Sequence, residues 1–369
     1  MMRIFDDRRV VLTLDAGGTK FAFNAMRGGR LLLDPLALPS LADDLAASLG
    51  QLRKGFDAVF AATGREAAAL SFAFPGPADY RSGIIGELVN LPGFEGGLAL
   101  GPMLEDRYGL PVFINNDGDL FAYGEALGGL LPWVNQRLAE AGDPRRFRNL
   151  IGFTLGTGLG GGIVHDGKLL IGDNSAAAEV ALLRHRDEPR SFAEEGVSIR
   201  AVRREYARSA GLPLEAAPEP REIAVIARGE AAGNAGAAIA TFRRFGAVAG
   251  DAIAQALTIV DGLVVLGGGL ADAAPLFMPA LLEELNGSVL SLDGKPRARL
   301  ELSVSDLDDP SGLDAFLRST TRALRVPGST RTVSYEAQKR TGIGRTRLGT
   351  SAAVSLGAYA VALDQLDRR

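Results

Sequence analysis

The stretch LTLDAGGTKFAF, residues 12–23, decides the fold. An apolar run ends there in an acid, two glycines, a threonine and a lysine, a composition that suits a phosphate-binding loop. A P-loop requires G-x-x-x-x-G-K-[ST] followed by a helix, whereas residues 21–26 have the pattern of a strand. Gly17 and Gly18 are therefore predicted to form the tip of a β-hairpin. Whether this hairpin binds phosphate depends on partner segments elsewhere in the chain.

The side chains around this turn suit a nucleotide. Asp15 would hold Mg²⁺ through water, and Thr19 and Lys20 would meet phosphate oxygens. Glycine at the turn lets main-chain N–H groups approach an anion without a Cβ in the way. The alternative is an ordinary β-turn with an incidental acid.

A second glycine segment, TLGTGLGGG at residues 154–162, repeats the design. It contains G-x-G-x-x-G, but the dinucleotide-binding fingerprint requires a following helix, and residues 163–168 instead have the pattern of a strand and a turn. We therefore predict a second glycine hairpin that faces the first. It would supply the amides of Gly156 and Gly158 and the Thr157 hydroxyl to the same phosphates.

Two further segments lie at predicted strand ends, where α/β folds bind ligands. INNDGD places Asn116 and Asp117 there, and Asp117 would accept a proton from a substrate hydroxyl that attacks phosphorus. The alternative role for Asp117 is that of a helix N-cap. LVVLGGGL brings glycines to a strand end and leaves room for a flat base, although a tight strand-to-helix turn would have the same sequence; the glycines are Gly267, Gly268 and Gly269.

Composition bounds the class of protein. The chain has 369 residues, 47% hydrophobic and 23% charged, which fits two globular lobes. With a net charge of −4, the chain lacks the excess of basic residues that is typical of proteins that bind nucleic acid or a membrane surface. No transmembrane run or signal-peptide core is found, so a cytoplasmic protein is expected. There is no cysteine, and both histidines, His165 and His185, are expected at the surface.

Strands that alternate with helices predict an α/β fold, and two halves that each begin with a hairpin predict two similar lobes with a cleft between them. Helices are expected at residues 40–55, 133–149 in part, 234–260 and 350–366. Residues 290–346 give few signals beyond a hairpin at Asp293–Gly294.

In their shared order, these segments resemble the ROK family of sugar kinases, within the actin/hexokinase/Hsp70-like superfamily. The resemblance extends to FAFPGPADYRSGII and LVNLPGF at residues 72–85 and 88–94, and to AAAEVALL and AEEGVSIRAV further on. It implies two RNase-H-like lobes, ATP and Mg²⁺, and a sugar substrate. Asp117 would be the general base. The implied sugar ligands are Gly76, Asn90, Asn116, Glu179 and Glu194, with Glu195 as the alternative to Glu194.

The resemblance also implies a domain organisation. Residues 1–118 would form the first lobe, with the C-terminal helix at 349–369 packing back on it. Residues 119–348 would form the second lobe, with insertions near 129–149 and 290–346. A homodimer is common in the family and is compatible with this sequence, which leaves the oligomeric state open.

One departure from the family concerns zinc. The family's cysteine loop is absent, and its zinc-binding and sugar-binding histidine is replaced by Leu182. We therefore expect no zinc site, residues 180–196 held by packing, and an unusual recognition of sugar hydroxyls. The sequence does not identify the sugar substrate, and the candidates are glucose, fructose, mannose and N-acyl hexosamines.

Three other functions are considered. A transcriptional regulator of the same family would carry a DNA-binding segment before the first hairpin, where only about ten residues precede the strand here. A non-catalytic sugar sensor fits the loss of the zinc site but not the presence of Asp117. An ATPase or acyl kinase of the superfamily has no need for the acids Glu179 and Glu194. Phosphorylation of a hexose or a hexose derivative is therefore the predicted function.

Overall fold

The computed structural model describes residues 4–17, 19–86, 97–318 and 320–369. Two predicted site residues, Gly18 and Asn90, lie outside the described residues. The chain divides into two compact units. Unit 1 comprises Met1–Gly129, Gly162–Ala178 and Arg347–Arg369, and unit 2 comprises Leu130–Gly161 and Glu179–Thr346. The lobe boundaries and insertions expected from the sequence stay predictions.

The strands are β1 Val10–Ala16, β2 Lys20–Arg27, β3 Arg30–Leu31, β4 Leu36–Pro39, β5 Ala67–Ala73, β6 Ala78–Asp79, β7 Ile84–Ile85, β8 Val112–Asn115, β9 Leu150–Leu155, β10 Leu159–His165, β11 Lys168–Leu169, β12 Leu263–Gly267, β13 Ser288–Leu290, β14 Pro296–Ala298, β15 Ser303–Asp306, β16 Thr321–Arg325, β17 Thr332–Glu336 and β18 Arg340–Arg345.

The α-helices are α1 Leu45–Ala62, α2 Leu100–Tyr108, α3 Asp117–Gly128, α4 Leu130–Glu140, α5 Ile199–Ala210, α6 Pro220–Ala227, α7 Ala235–Ile259, α8 Ala274–Leu285, α9 Pro310–Leu317 and α10 Thr350–Asp367.

The sheet of unit 1 has the order β3-β2-β1-β5-β8, with β4 also paired to β2. β1 and β2 are antiparallel, and Ala16 lies opposite Phe21 across the glycine turn, so the predicted hairpin is confirmed. β1, β5 and β8 run parallel. Their near-continuous apolar sequences suit strands that are covered on both faces.

Helices cover both faces of this sheet. On one face α1 and α2 complete an aromatic core in which Phe23 meets Phe56 edge to face, with ring centroids 5.1 Å apart. On the other face lies α10, and α3 packs on α10. The Ser71 hydroxyl of β5 donates to the Ala358 carbonyl of α10 over 2.7 Å. The C-terminal helix α10 is therefore an element of the unit 1 core.

Glycines let α3 and α10 approach closely. Gly124 of α3 lies against the backbone of Ala353, and Gly357 of α10 lies against the backbone of Leu120. A Cβ at either glycine would overlap main-chain atoms of the facing helix. Every residue of α10 from 353 to 363 is buried, as expected for a helix that is apolar on all sides.

The second sheet, to which unit 2 contributes β9, β12, β15 and β18, has the order β11-β10-β9-β12-β18-β15, and these four strands run parallel. The orders β2-β1-β5-β8 in the first sheet and β10-β9-β12-β18 in the second follow one pattern, in which the second strand of a hairpin is paired to the first of three parallel strands. The predicted long helix is confirmed as α7, which packs on α5, α6 and α8. The expected hairpin at Asp293–Gly294 is confirmed as β13 and β14, while β16 and β17 form a second, exposed hairpin.

Candidate active site

In unit 1 the predicted site residues lie at one edge of the sheet. Asp15 of β1 pairs with Ala73 of β5, and Ala73 pairs with Asn115 of β8. The three parallel strands therefore end at the same level. Gly76 follows β5 by three residues, and Asn116 and Asp117 directly follow β8. This is the carboxyl edge at which α/β sheets bind ligands.

The first glycine turn is closed by its own backbone. The Gly17 N–H donates to the Lys20 carbonyl over 3.0 Å, and the Ser40 N–H donates to the Thr19 carbonyl over 3.1 Å. Residues 17, 19 and 20 are exposed, so the Thr19 and Lys20 side chains are accessible to a ligand. The Asp15 carboxylate accepts a hydrogen bond from the Ser351 hydroxyl over 2.9 Å.

Asn116 is the N-cap of α3. Its Oδ1 accepts from the Gly118 N–H over 2.8 Å, and Asp117 Oδ1 accepts from the same N–H over 2.9 Å. The capping role considered for Asp117 thus belongs to Asn116. Asp117 is the first residue of the helix, and its side chain remains accessible.

The environment disfavours the charged form of Asp117. Although Asp117 stays in contact with solvent, the protein atoms around its carboxyl group displace part of its hydration, and this desolvation raises the pKa of Asp117. The Gly118 N–H opposes this effect, and the negative charge of Asp15 adds to it. A carboxylate with a raised pKa is a stronger proton acceptor than an ordinary aspartate, which is the property required of a general base.

Tyr80 is a site residue that the sequence reasoning missed. It is buried, its hydroxyl donates to the Phe74 carbonyl over 3.0 Å, and Asn116 Nδ2 lies 3.5 Å from the same hydroxyl oxygen. A Cβ at Gly76 would stand 3.0 Å from that oxygen. Tyr80 therefore links Gly76 to Asn116. Its only sequence signal was its place within FAFPGPADYRSGII.

In unit 2 the two remaining glycine segments meet. Thr154, at the end of β9, pairs with Gly267, at the end of β12. Gly268 has a φ of +83° and lies against the backbone of Leu155, so only glycine fits there without strain. Gly156 and Gly269 both have open space where a Cβ would stand. The Gly156–Gly158 turn and the Gly267–Gly269 turn therefore share one edge of the unit 2 sheet.

The predicted sugar acids of unit 2 lie in two neighbouring short 3₁₀ turns, Val180–Leu182 and Ala193–Glu195. Glu179 precedes the first turn and is exposed. Glu194 Oε2 accepts from the Leu159 N–H over 3.0 Å, directly after the glycine turn. Glu195 is instead paired with Arg200 and Arg204, at 2.5 and 2.6 Å. Of the two adjacent acids, Glu194 is the one that reaches the glycine turn.

The surface prediction for His185 is wrong, whereas His165 is exposed as expected. His185 is only 5% exposed, and its Nδ1 accepts from the N–H groups of Asp187 and Glu188, each over 3.1 Å. Burial lowers the pKa of His185, so the ring is neutral at physiological pH. The charged run around it folds into a turn over the imidazole, and this reverses the exposure that composition indicated.

Residues 180–196 are held together by these contacts and by main-chain pairing. The His185 N–H donates to the Ser191 carbonyl, and the Ala193 N–H donates to the Leu183 carbonyl. Gly196 lies against the His185 ring and Val248. Within the described ranges, no group of three or more His, Cys, Asp or Glu side chains is arranged to hold a metal ion. No helix in the described part of the chain has both the length and the apolar character to cross a bilayer.

Comparison with known proteins identifies the family. The ROK family model matches residues 11–314. The chain is 49% identical to a glucokinase from Parabacteroides distasonis, with a TM-score of 0.86 over 98% of this chain and 99% of that one. It is 30% identical to an N-acetyl-D-glucosamine kinase of Aliivibrio salmonicida over 77% of this chain and 91% of that protein.

A third comparison concerns the fold alone. A ROK glucokinase from Streptomyces griseus, solved with glucose and AMPPNP, has a TM-score of 0.63 at 20% identity, over 96% of this chain and 99% of that one. This chain belongs to the ROK family. The family and the α/β fold class predicted from the sequence are confirmed.

Proposed function

We propose that this protein transfers the γ-phosphoryl group of ATP to a hydroxyl group of a hexose or a hexose derivative. The observation that carries the proposal is the placement of Asp117 at the carboxyl edge of the parallel strands β1, β5 and β8. It lies next to Asn116 and two residues beyond Asn115, the β8 residue that is level with Asp15 in the sheet. The names of the relatives, glucokinase and N-acetyl-D-glucosamine kinase, agree with this reaction class.

Asp117 is the proposed general base. As the sugar hydroxyl attacks the γ-phosphorus, its proton passes to the Asp117 carboxylate, and the bond between the γ-phosphorus and the bridging oxygen of ADP breaks. The raised pKa helps Asp117 to accept this proton. The protein's remaining task is to align the reactants and to exclude water, the competing nucleophile.

The proposed nucleotide ligands are backbone and side-chain groups of the glycine turns. Gly17, Thr19 and Lys20 of unit 1, and Gly156, Thr157 and Gly158 of unit 2, would meet phosphate oxygens. The open space beside Gly269 fits the adenosine part, with Gly267 and Gly268 shaping the turn. Mg²⁺ would neutralise charge on the phosphates, and the Asp15 carboxylate, held by Ser351, suits contact with it through water.

The proposed sugar ligands are Gly76 and Asn116 of unit 1, and Glu179 and Glu194 of unit 2. Carboxylate oxygens accept strongly from sugar hydroxyls. The Oδ1 of Asn116 caps α3 by accepting from the Gly118 N–H, so Asn116 would donate to a sugar hydroxyl through its Nδ2. The proposed homodimer and the role proposed for Asn90 also rest on the family resemblance.

A coupled assay for ADP release tests the activity. Glucose, mannose, fructose, N-acetylglucosamine and N-acetylmannosamine are each supplied with ATP and Mg²⁺, and at least one is expected to be phosphorylated. Asp117→Asn is expected to lower kcat by about 10³-fold, the usual contribution of a general base. Its sugar affinity, measured by calorimetry, should stay within a few-fold of that of the wild type.

Asp43→Asn is the matched control. Asp43 is exposed in the loop before α1, so its loss of charge should leave kcat unchanged. Absence of turnover with every sugar in the panel would refute the proposed activity. Full turnover by the Asp117 variant would refute the role of Asp117 alone.

A further inference from the structure

One side chain of unit 2 connects two groups of proposed ligands. Glu194 Oε2 accepts from the Leu159 N–H over 3.0 Å, so a proposed sugar ligand is bonded to the residue that ends the proposed phosphate turn. The same carboxylate lies directly over Gly158, where a Cβ would overlap its Oε2. A second bond joins the same segments, since the Ile199 N–H donates to the Gly156 carbonyl over 2.9 Å.

A carboxylate can make this contact and bind a sugar at the same time. It has two oxygens, each able to accept more than one hydrogen bond. Oε2 holds the Leu159 N–H, while Oε1 lies 3.6 Å from an Arg200 nitrogen and the side chain remains 26% exposed. Oε1 is therefore available to a hydroxyl without loss of the bond to the turn.

We propose that Glu194 is a positioning residue that couples sugar binding to the shape of the phosphate turn at Gly156–Leu159. A hydroxyl on Oε1 fixes the side-chain rotamer, and Oε2 then fixes the Leu159 N–H and the turn before it. The turn is then already ordered when the nucleotide binds. Less conformational entropy is lost in that step, and the affinity for the nucleotide is higher. This inference rests on the proposed function, because it takes Glu194 as a sugar ligand and the turn as a phosphate ligand.

The coupling is reciprocal, since linkage requires that each ligand raise the affinity of the other by the same factor. We expect a factor of about 10, within the usual range for coupled sites. Glu195 cannot take over, because Arg200 and Arg204 hold its carboxylate.

Gly158→Ala is the decisive variant. The added methyl group meets only the far end of the Glu194 side chain, so the backbone can stay in place while the carboxylate is displaced. Calorimetry with glucose and with N-acetylglucosamine, in the absence of nucleotide, is expected to show a loss of sugar affinity of about 10-fold. Gly50→Ala, in α1, adds a methyl group to open space at a position outside the proposed ligands and should leave sugar affinity unchanged.

The converse experiment measures binding of AMPPNP with Mg²⁺ in the absence of sugar. Glu194→Ala is expected to weaken nucleotide binding several-fold, because the Leu159 N–H loses its acceptor. Glu194→Gln should recover most of that loss, since the amide oxygen can still accept from the N–H. Glu179→Ala should weaken sugar binding and leave nucleotide binding unchanged.

The outcomes separate this inference from the proposed function. If the wild type phosphorylates a sugar but Gly158→Ala binds that sugar with wild-type affinity, the coupling through Glu194 is wrong and the kinase assignment stands. Wild-type nucleotide affinity in the Glu194→Ala variant, with its fold checked by circular dichroism, would refute the coupling in the same way. If the wild type binds neither sugar nor nucleotide, both proposals are wrong.

Discussion

At the scale of the single residue, the proposed role of Asp117 as general base predicts how catalysis depends on pH. A general base must be ionised, so activity falls as the pH drops through its pKa. Partial desolvation by the surrounding protein raises that pKa, and the charge of Asp15 adds to the increase. The acidic limb of kcat/KM is therefore expected above the ordinary aspartate value of about 4.

A pH–rate profile from about pH 4.5 to 9 checks this expectation. A control measurement of unfolding across the same range separates titration of the base from loss of the fold. Activity that stays flat down to the onset of acid unfolding would contradict the raised pKa.

The same residue makes a prediction about stability. A raised pKa in the folded state means that the folded protein binds the proton more tightly than the unfolded chain. The stability from this proton is complete below the unfolded pKa, at about 3.9, and is lost as the pH rises through the folded pKa. At about pH 8 the ionised carboxylate therefore costs stability, and Asp117→Asn is expected to be more stable than the wild type.

Urea unfolding of both proteins at about pH 8 and about pH 5 measures this difference, which should shrink at the lower pH. Asp43→Asn, which removes an exposed carboxylate, should show no such change. A variant that is less stable than the wild type by the same amount at both pH values would contradict the prediction.

Sequence reasoning locates residues whose position depends on local pattern. Asn116 and Asp117 were placed correctly at a strand end because they directly follow an apolar strand. Ser351 was not, because its partner Asp15 is 336 positions away and no local pattern joins them. His185 was placed wrongly because composition indicates the exposure of a run, whereas its burial depends on the turn that folds over it.

At the scale of elements, the contact between α3 and α10 depends on glycine. Gly124→Ala would drive a methyl group into the backbone of Ala353, which cannot move without shifting α10. We expect a loss of roughly 3 kcal/mol, at the upper end of the usual cost of overpacking.

Gly50→Ala is the matched control, because Gly50 lies inside α1 with open space where its Cβ would stand. There alanine should stabilise the protein by about 0.5–1 kcal/mol through its higher helix propensity. Urea unfolding measures both variants. Equal effects of the same sign would show that helix propensity, and not the contact between the helices, determines the result.

Elements with a local signature were predictable, and those that depend on distant partners were not. The glycine hairpins were visible in the sequence because a turn lies between two apolar runs. β15 and β18 were missed within residues 290–346. Both are short and run parallel to each other, and β18 also runs parallel to β12, so no hairpin turn marks their pairing.

At the scale of the whole molecule, unit 1 is assembled from three separate stretches of chain, Met1–Gly129, Gly162–Ala178 and Arg347–Arg369. The last stretch contains α10, which packs on α3, β1 and β5. Tyr359 adds a polar link, since its hydroxyl accepts from the Gly28 N–H over 2.9 Å. Unit 1 therefore cannot complete its core until the last residues of the chain are in place.

Deletion of residues 350–369 tests this dependence. Each large apolar side chain of α10 contributes about 1.5–3 kcal/mol through burial, so their sum is comparable to the whole stability of a domain, about 5–15 kcal/mol. The truncated protein is expected to aggregate or to lose its near-ultraviolet circular dichroism.

The matched control removes residues 322–335 and joins Thr321 to Glu336 through two glycines, because these two residues lie opposite each other in the exposed β16–β17 hairpin. That variant should stay soluble with a melting temperature close to that of the wild type, since the removed side chains are exposed. If the protein that lacks residues 350–369 folds instead, unit 1 does not need α10.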